Sequence, residues 1–475
     1  MVKNFNKVFI LILIPIITMM GCKDGNLDKE QDIHIGRNEQ IDINDIEAQK
    51  IMDDFLDMIE PETTAVELGK FIRENISHVN KDQAEEMIKW LIIYQTEMIN
   101  EFNEKIYKSQ YLETLNNMDW VLDESKMGKI ENEEIKKGYE SLIDGFLTIV
   151  RYEETPVVET DWEALSNLSE YISDDLGKTF EFYGKIQNYE YERGKLDVDG
   201  IMEDMIKTEL ILEKYESGFI YTLLNKVYSI QTYSLLVGPE GSYLGVFIDK
   251  NDEIYEEIIN KKNEYPNTLT SKMIENIDKR EYNEIMDVFN AIDEHLKFGI
   301  KSNNYIINKE FKENDIDYNI FQIVMKDDEE KQNRINSIIE QDIEDFISKF
   351  EDTKPIMISA NSGFQGNKYL SYSSLITFPG EDYYGSEKYL TLYRTFDYIN
   401  EKYIKIEDYL GIDFSEFQDY LERVKGEKVD SSPEFQITDR GIDLIIRDEE
   451  GEKFIHLNNK DLVPFLSLER LINKN

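Results

Sequence analysis

Apolar positions recur at spacings of three and four from residue 45 to about residue 298, the pattern of amphipathic helices. The longest stripe predicts a helix that starts after Asn80 and continues past Phe102, with extra apolar residues that indicate burial on more than one side. Thr64 precedes a glutamate by three positions and Asn80 precedes a glutamine by three, the spacing of a capping box at a helix N-terminus. This part of the chain is therefore predicted to be entirely helical.

The pattern changes after residue 305, where apolar and polar residues alternate as they do in half-buried strands. A helical stripe from Ile335 to Phe350 follows the first of three long alternating runs, at 318–325, 369–378 and 389–398. Shorter runs predict three further strands, at 435–438, 442–446 and 453–457. The chain is therefore predicted to be α+β, with an all-α domain over 45–300 followed by an α+β domain with mainly antiparallel strands over 305–475.

The first 22 residues have the composition of a bacterial export signal. Lys3 and Lys7 precede an apolar run, Val8–Met20, whose 13 residues fall short of the roughly 20 that a membrane-spanning helix needs. The ending Met-Met-Gly21-Cys22 resembles the lipobox of bacterial lipoproteins. That resemblance implies a signal peptide over 1–21, cleavage after Gly21, acyl chains such as palmitate on the Cys22 thiol, and a lipid-anchored location on the outer face of the cell membrane. An ordinary secretory signal with a coincidental cysteine remains the alternative.

The mature chain is expected to be tethered at one end and well packed elsewhere. Residues 22–44 are polar and lack a period, which predicts a flexible tether. Hydrophobic residues make up 41% of the chain and aromatic residues 12%, so general disorder is excluded. Cys22 is the only cysteine, so the folded part must be stable without disulfide bonds.

The chain is strongly acidic, with 98 acidic against 53 basic residues and a net charge of −45. Such a charge repels nucleic acid, so binding to nucleic acid is excluded as a function. The acidity has two interpretations that the sequence leaves open. It is either a solvated surface that keeps the chain soluble, or a field that attracts a cationic protein or another cationic partner.

Five segments of the second half follow a pattern found in one known domain: Arg334–Ile339, Thr395–Tyr398, Glu401–Leu410, Phe435–Thr438 and Asp461–Leu466. This pattern resembles the extracytoplasmic domain shared by the anti-sigma factor RsiV, which senses lysozyme, and by the peptidoglycan deacetylase PdaC. The resemblance implies binding related to lysozyme or to the cell wall, with no catalysis in the domain itself. The family often has a glycine- and histidine-rich turn where this chain has Pro379–Gly385.

Residue patterns that would carry catalysis are missing from the sequence. The four histidines, His34, His78, His295 and His456, never share a helix turn, so a zinc or transition-metal site is not expected. The sequence contains no Gly-x-Ser-x-Gly, Walker A or dinucleotide-binding motif, and a lipidated Cys22 could not serve as a nucleophile. We therefore predict no catalytic residue, no cofactor and no metal ligand.

Two acidic segments partly resemble calcium-binding loops. Asp197–Gly200 begins like part of an EF-hand, but Lys195 and Ile206 occupy the first and twelfth ligand positions, so the pattern fails. Asp249–Glu253 is either a weak calcium site or a plain acidic turn, and the turn is the preferred interpretation.

The leading functional hypothesis is a cell-surface lipoprotein that acts as a non-enzymatic binding or sensing module of the cell envelope. Its partners would be the membrane, through the lipid on Cys22, and a cationic protein or peptidoglycan. Two alternatives are kept open: an envelope hydrolase that uses a pair of carboxylates, and a structural scaffold lipoprotein.

Overall fold

The computed structural model describes residues 43–117, 127–128, 130–152, 155–189, 197–215, 218–238, 244–248, 250, 252–282, 284, 287–292, 296, 304–313, 315–325, 328–348, 355–365, 368–378, 388–438, 440–448 and 451–473. These residues form two compact units, one ending at residue 293 and the other starting at residue 294. The predicted signal peptide, including Gly21, and the lipidation residue Cys22 lie outside the described residues. So does the tether, apart from its last two residues, which open the first helix.

The first unit is mainly helical. Its helices span Ile43–Leu56 (α1), Ala65–Asn75 (α2), Lys81–Ile106 (α3), Ser109–Asn117 (α4), Glu133–Asp144 (α5), Trp162–Ser166 (α6), Asp174–Tyr189 (α7), Val198–Leu212 (α8), Phe219–Leu236 (α9), Glu253–Glu264 (α10) and Leu269–Asp278 (α11). Short 3-10 helices lie at 76–78, 169–171 and 244–247. The α+β class predicted for the chain is confirmed, with helices concentrated before residue 294 and most strands after it.

Both predicted capping boxes are present. The Thr64 side chain accepts a hydrogen bond from the Glu67 N–H while the Glu67 carboxylate accepts one from the Thr64 N–H, and Asn80 exchanges the same pair of bonds with Gln83. These bonds satisfy donors that every helix N-terminus leaves open. The predicted long helix follows the second box, and its buried residues lie on more than one side, Ile93 and Tyr94 among them.

The prediction that the first part is entirely helical is wrong at one place. Strands Leu147–Tyr152 (β1) and Thr155–Thr160 (β2) form an antiparallel hairpin. Asn103 of α3 holds the outer side of β2, since its side chain accepts a hydrogen bond from the Val158 N–H at 2.7 Å. The β-branched composition of both segments, typical of strands, was the available signal.

The second unit contains two sheets. Strands Asn304–Glu313 (β3), Ile316–Met325 (β4), Met357–Gln365 (β5), Tyr369–Phe378 (β6), Lys388–Asp397 (β7) and Lys402–Tyr403 (β8) form one sheet in that order. All neighbours are antiparallel except β4 and β5, which are parallel over three residue pairs. The second sheet has the order β11–β10–β9, from strands Glu434–Thr438 (β9), Gly441–Asp448 (β10) and Gly451–Asn458 (β11). The helices of the second unit span Glu329–Ser348 (α12), Ile406–Leu410 (α13), Phe414–Lys425 (α14) and Leu468–Asn473 (α15).

The six-stranded sheet is covered differently on its two faces. Isoleucines spaced by four on α12 (Ile335, Ile339, Ile343) pack against apolar side chains of β6 and β7, such as Leu370 and Phe396. On the other face hydroxyl groups contact β9. Thr395 donates to the Phe435 carbonyl at 2.9 Å, and the Ile437 N–H donates to Ser371 at 2.8 Å. The α12 face is therefore an apolar core, whereas the contact with β9 includes side-chain hydrogen bonds.

Two long strands of the six-stranded sheet, β3 and β5, were not predicted, and neither was the two-residue strand β8. Strand β3 carries alternating lysines and glutamates near its end and lies at the sheet edge, so its composition resembles a solvated segment. Strand β5 is rich in serine, asparagine and glycine, which are uncommon in strands. Both form because neighbouring strands supply their backbone partners.

Helix α12 also completes strand β4 where β5 diverges from it. Pairing between the two strands stops after Asn319. Beyond that point the Asn336 side chain accepts from the Ile323 N–H and donates to the Ile323 carbonyl, both at 2.9 Å. Gln332 accepts from the Met325 N–H, also at 2.9 Å. The side-chain amides of Asn336 and Gln332 thus form the hydrogen bonds that a neighbouring strand would otherwise supply to β4.

We expect Asn336→Ala to lower the free energy of unfolding by about 2 kcal/mol, because it leaves one N–H and one carbonyl of Ile323 unpaired. Urea denaturation measures this. Asn333→Ala is the matched control, since Asn333 is exposed on the same helix and gains the same helix propensity. Equal unfolding free energies for the two variants would contradict the role given to Asn336.

Candidate functional site

Helix α12 and the turn after β7 bring together two residues that are 67 positions apart. The Arg334 guanidinium binds the Glu401 carboxylate through two hydrogen bonds, from Nε at 3.0 Å and from Nη2 at 2.9 Å. Such two-point pairing fixes the relative orientation of both side chains. Arg334 lies in the sequence segment Arg334–Ile339 and Glu401 in the segment Glu401–Leu410.

The turn that presents Glu401 is held by Asp397. Its carboxylate accepts hydrogen bonds from the N–H groups of Ile399 and Asn400, and from the Asn400 side-chain amide. Glu401 itself has φ of 51°, a left-handed conformation that is uncommon outside glycine. Strained residues of this kind persist where the surrounding structure fixes them, and they occur often at binding sites.

A groove of about 500 Å³ lies at this ion pair. It is lined by Glu330, Asn333, Arg334, Ser337, Ile338 and Glu401, and we call it the Arg334–Glu401 groove. Two residues before Glu401, the Ile399 side chain is 52% exposed. The groove thus offers carboxylates, a guanidinium, an amide and a hydroxyl beside apolar surface, a combination suited to recognising a polar ligand.

The charges in the groove are fixed by their pairing. Hydrogen bonding to Arg334 lowers the pKa of Glu401, and the same bond with Glu401 raises the pKa of Arg334. The Glu330 carboxylate also lies near the guanidinium, 3.5 Å from Nη1 of Arg334. Both partners therefore stay ionised around neutral pH, which suits recognition and not proton transfer.

This pairing makes the stability contribution of Glu401 dependent on pH. A carboxylate whose folded pKa lies below its ordinary value of 4.5 stabilises the fold above that pH, and the contribution is lost as pH falls through the folded pKa. We expect Arg334→Gln to lower the unfolding temperature at pH 7 and to have little effect at pH 3. Thermal unfolding at low salt measures this, and an equal effect at both pH values would contradict it.

A second cluster of charges connects α12, strand β7 and the three-stranded sheet. Arg394 of β7 binds Asp342 at 3.1 Å and Glu434 at 2.8 Å, and Arg447 binds Glu434 at 2.7 Å and Glu452 at 3.0 Å. We call these five residues the Arg394 network. Charges alternate along it, so each carboxylate contacts at least one guanidinium. The network holds α12 and strands of both sheets in one arrangement.

Two tyrosines complete the Arg394 network. The hydroxyls of Tyr372 and Tyr403 lie 2.8 Å apart, and Tyr372 donates to Asp342 at 3.3 Å. Burial raises the pKa of both tyrosines above the ordinary range. Burial lowers the pKa of Arg394, but the negative charges of Asp342 and Glu434 raise it by more, so the net effect is a raised pKa. The tyrosines therefore stay protonated and the arginine stays charged, so the network is suited to rigidity and recognition.

The residues considered for metal binding have structural roles where the structure describes them. Asp197 caps α8 by accepting from the Gly200 N–H, and Asp252 caps α10 by accepting from the Ile254 N–H. Lys250 bonds to Asp278. His456 Nδ1 lies 2.7 Å from Asp443 on the neighbouring strand. In the described part of the chain, no group of three or more His, Cys, Asp or Glu residues is arranged to hold a metal ion.

Several of the residues singled out in the sequence lie outside the described residues. They are Cys22, Gly21, His34, Lys195, Asp249, Asn251, His295 and the turn at Pro379–Gly385. His78 is described and ends the 3-10 helix that follows α2.

The sequence interpretation missed the Arg394 network. Arg394 reaches Asp342 across 52 positions and Glu434 across 40. The only local signal was an arginine close to the apolar and aromatic residues Leu392, Tyr393 and Phe396, which marks a charge that needs partners on burial.

Among the described residues, no helix has the length and apolar character required to span a bilayer.

Comparisons with known proteins give weak structural neighbours. No protein-family model matches the chain, and no curated protein matches it. A crystal structure of a DUF3298 family member from Bacteroides fragilis is 11% identical, with a TM-score of 0.26, and the match covers 36% of this chain and 96% of that one. A DUF3298 family protein from Pseudomonas aeruginosa is also 11% identical, with a TM-score of 0.21 and coverage of 34% and 91%. The chain is thus weakly similar to members of a family of domains of unknown function.

Proposed function

We propose that this chain is a lipid-anchored, non-enzymatic binding or sensing protein on the outer face of the cell membrane. Its C-terminal unit, which we propose to be of the RsiV/PdaC type, carries the ligand site. Its ligand is a cationic protein or the wall glycan. The anchor is the lipid on Cys22, implied by the lipobox-like end of the signal.

The observation that carries this proposal is the Arg334–Glu401 groove. Its ion pair is fixed by two hydrogen bonds and by a turn that Asp397 holds in place. Groups that are held rigid before binding lose little conformational freedom when a ligand arrives, so they favour recognition. Asn333 and Ser337 add an amide and a hydroxyl of the kind that bind sugars or peptide groups.

The net charge of −45 supports a cationic protein as the first candidate ligand. A field of this size raises the association rate of a basic partner, and salt screens it over about 10 Å at 0.1 M. Binding of the wall glycan would depend less on salt, because a neutral sugar is not attracted by the field. The salt dependence of binding therefore distinguishes the two ligands.

The proposal is tested with the mature chain, residues 22–475, carrying Cys22→Ala so that the lipid does not contribute. Lysozyme serves as the cationic protein probe and purified peptidoglycan as the glycan probe. We expect at least one to bind, and Arg334→Ala to weaken that binding about tenfold. Lys312→Ala is the control, because it removes a surface ion pair, with Asp317, on the β3–β4 hairpin. Absence of binding to both probes, or equal loss with both variants, would refute the proposal.

The hydrolase alternative would use Asp342 and Glu434 as its pair of carboxylates. Both are engaged in ion pairs with Arg394, at 3.1 Å and 2.8 Å, whereas a catalytic pair of carboxylates must be free to contact the substrate. Release of soluble wall fragments that is lost in Glu434→Gln would support this alternative. The scaffold alternative predicts binding that Arg334→Ala leaves unchanged.

A further inference from the structure

The first unit contains a larger groove of about 590 Å³, separate from the Arg334–Glu401 groove. It lies between the end of α3, the start of α4 and helix α5. Three lysines line it, Lys105, Lys108 and Lys137, and Glu134 is the one acidic residue among the described residues that do so. We call it the lysine groove. Its volume is in the range of small-molecule sites.

A local excess of positive charge is unexpected in a chain with a net charge of −45. The Lys105 ammonium lies 3.3 Å from Glu101, on the same helix, and 5.2 Å from the centre of the Phe102 ring. Lys108 and Lys137 are exposed, and neither forms an ion pair with a carboxylate in the part of the chain that the structure describes. Two ammonium groups are therefore available to an anionic ligand.

The wall of the groove is kept open by a glycine in the middle of α5. A Cβ atom at Gly138 would meet the Phe102 ring and the Tyr111 hydroxyl at 3.4 Å. Glycine in a helix interior is less favourable than alanine, and alanine would fit here at ordinary contact distance. The absent methyl group leaves space beside the Phe102 ring and the Tyr111 hydroxyl, which both line the groove.

The lining of the groove also includes a hydrogen-bond donor that has no partner among the described residues. The side-chain oxygen Oδ1 of Asn132 is occupied, since it accepts from the N–H groups of Glu134 and Ile135 at the start of α5. Its side-chain NH₂ makes no hydrogen bond to any residue that the structure describes. This group can bind a hydroxyl, and Phe102 adds an aromatic ring to the lining of the same groove.

From this arrangement we propose that the lysine groove binds a phosphorylated polyol or saccharide. Lysine ammonium groups bind phosphate as compact charges with freely rotating donors. The Asn132 amide and the aromatic side chains suit the hydroxyl and C–H surfaces of a polyol or sugar. The phosphate comes from a free ligand or from a lipid headgroup, which share this chemistry.

The test uses the mature chain with Cys22→Ala and isothermal titration with sn-glycerol 3-phosphate. Glycerol is the uncharged comparison. We expect saturable binding of the phosphate ester and none of glycerol, with Lys137→Gln or Lys108→Gln raising Kd about three- to tenfold. Lys136→Gln is the matched control, because Lys136 pairs with Glu140 on the same helix and does not line the groove. We expect no change in Kd for this control.

A second variant separates binding from folding. Gly138→Ala places a methyl group in the groove, so it should weaken binding while leaving the unfolding temperature unchanged or higher. A second arm offers phosphatidylglycerol vesicles, and binding to vesicles alone would identify a lipid headgroup as the source. The proposal is overturned if neither arm shows binding, if Lys136→Gln weakens binding as much as Lys137→Gln, or if Gly138→Ala folds and binds as before.

Discussion

Replacement of Cys22 by alanine is expected to move the protein from the membrane fraction to the soluble fraction. Each buried CH₂ group of an acyl chain contributes about 0.8 kcal/mol to membrane binding, and two chains give stable attachment. The apolar run Val8–Met20 cannot replace the lipid, because its 13 residues are fewer than the roughly 20 that span a bilayer. Cell fractionation with immunoblotting measures the change.

The neighbouring variant Lys23→Ala serves as the control for the anchor, since it changes the mature N-terminal region without removing the thiol. It should remain in the membrane fraction. Retention of the Cys22→Ala protein in the membrane would contradict lipid anchoring. So would a mature protein whose Cys22 carries a free thiol by mass spectrometry.

Gly69→Ala is expected to destabilise the helical unit strongly. A Cβ atom at Gly69 would lie 2.1 Å from the Asp144 carbonyl oxygen, so α2 and the end of α5 would have to separate. The two helices cannot do so easily, because Lys70 pairs with Asp144 at 3.1 Å and Arg73 donates to the Ile143 carbonyl at 2.6 Å. We expect a loss of about 3 kcal/mol, beyond the helix propensity that alanine gains. Urea denaturation followed by circular dichroism measures it.

Gly138→Ala is the matched control for this prediction, since Gly138 is also a helix-interior glycine. Its new Cβ atom would lie 3.4 Å from the nearest atoms, which is an ordinary contact distance. It should leave stability unchanged or raise it by up to about 1 kcal/mol. Similar effects of the two substitutions would show that the close approach at Gly69 does not control packing between α2 and α5.

Features fixed by short-range chemistry were predictable from the sequence. The capping boxes at Thr64 and Asn80 depend on residues three positions apart, and strands β6 and β7 follow runs rich in aromatic and aliphatic residues on either side of a turn-rich segment. Gly69 illustrates the limit of this reasoning. Helix propensity marks it only as unfavourable, whereas its role is contact with a backbone 75 positions away along the chain.

Features that depend on distant partners were not predictable. Strand β5 has a weak strand composition and forms because β6 pairs along its length. The ion pair between Arg334 and Glu401 depends on how α12 crosses the sheet, which no local pattern specifies. Asn336 lay inside a recognised segment, but its role needs the point where β4 and β5 diverge.

Amide hydrogen exchange of the mature protein, with and without the envelope probe that it binds, tests the central claim most directly. The proposal that the Arg334–Glu401 groove is the ligand site predicts slower exchange at residues 329–338 and 397–403 on binding, with the probe recovered intact. Slower exchange confined to other segments, or cleavage of the probe, would contradict it.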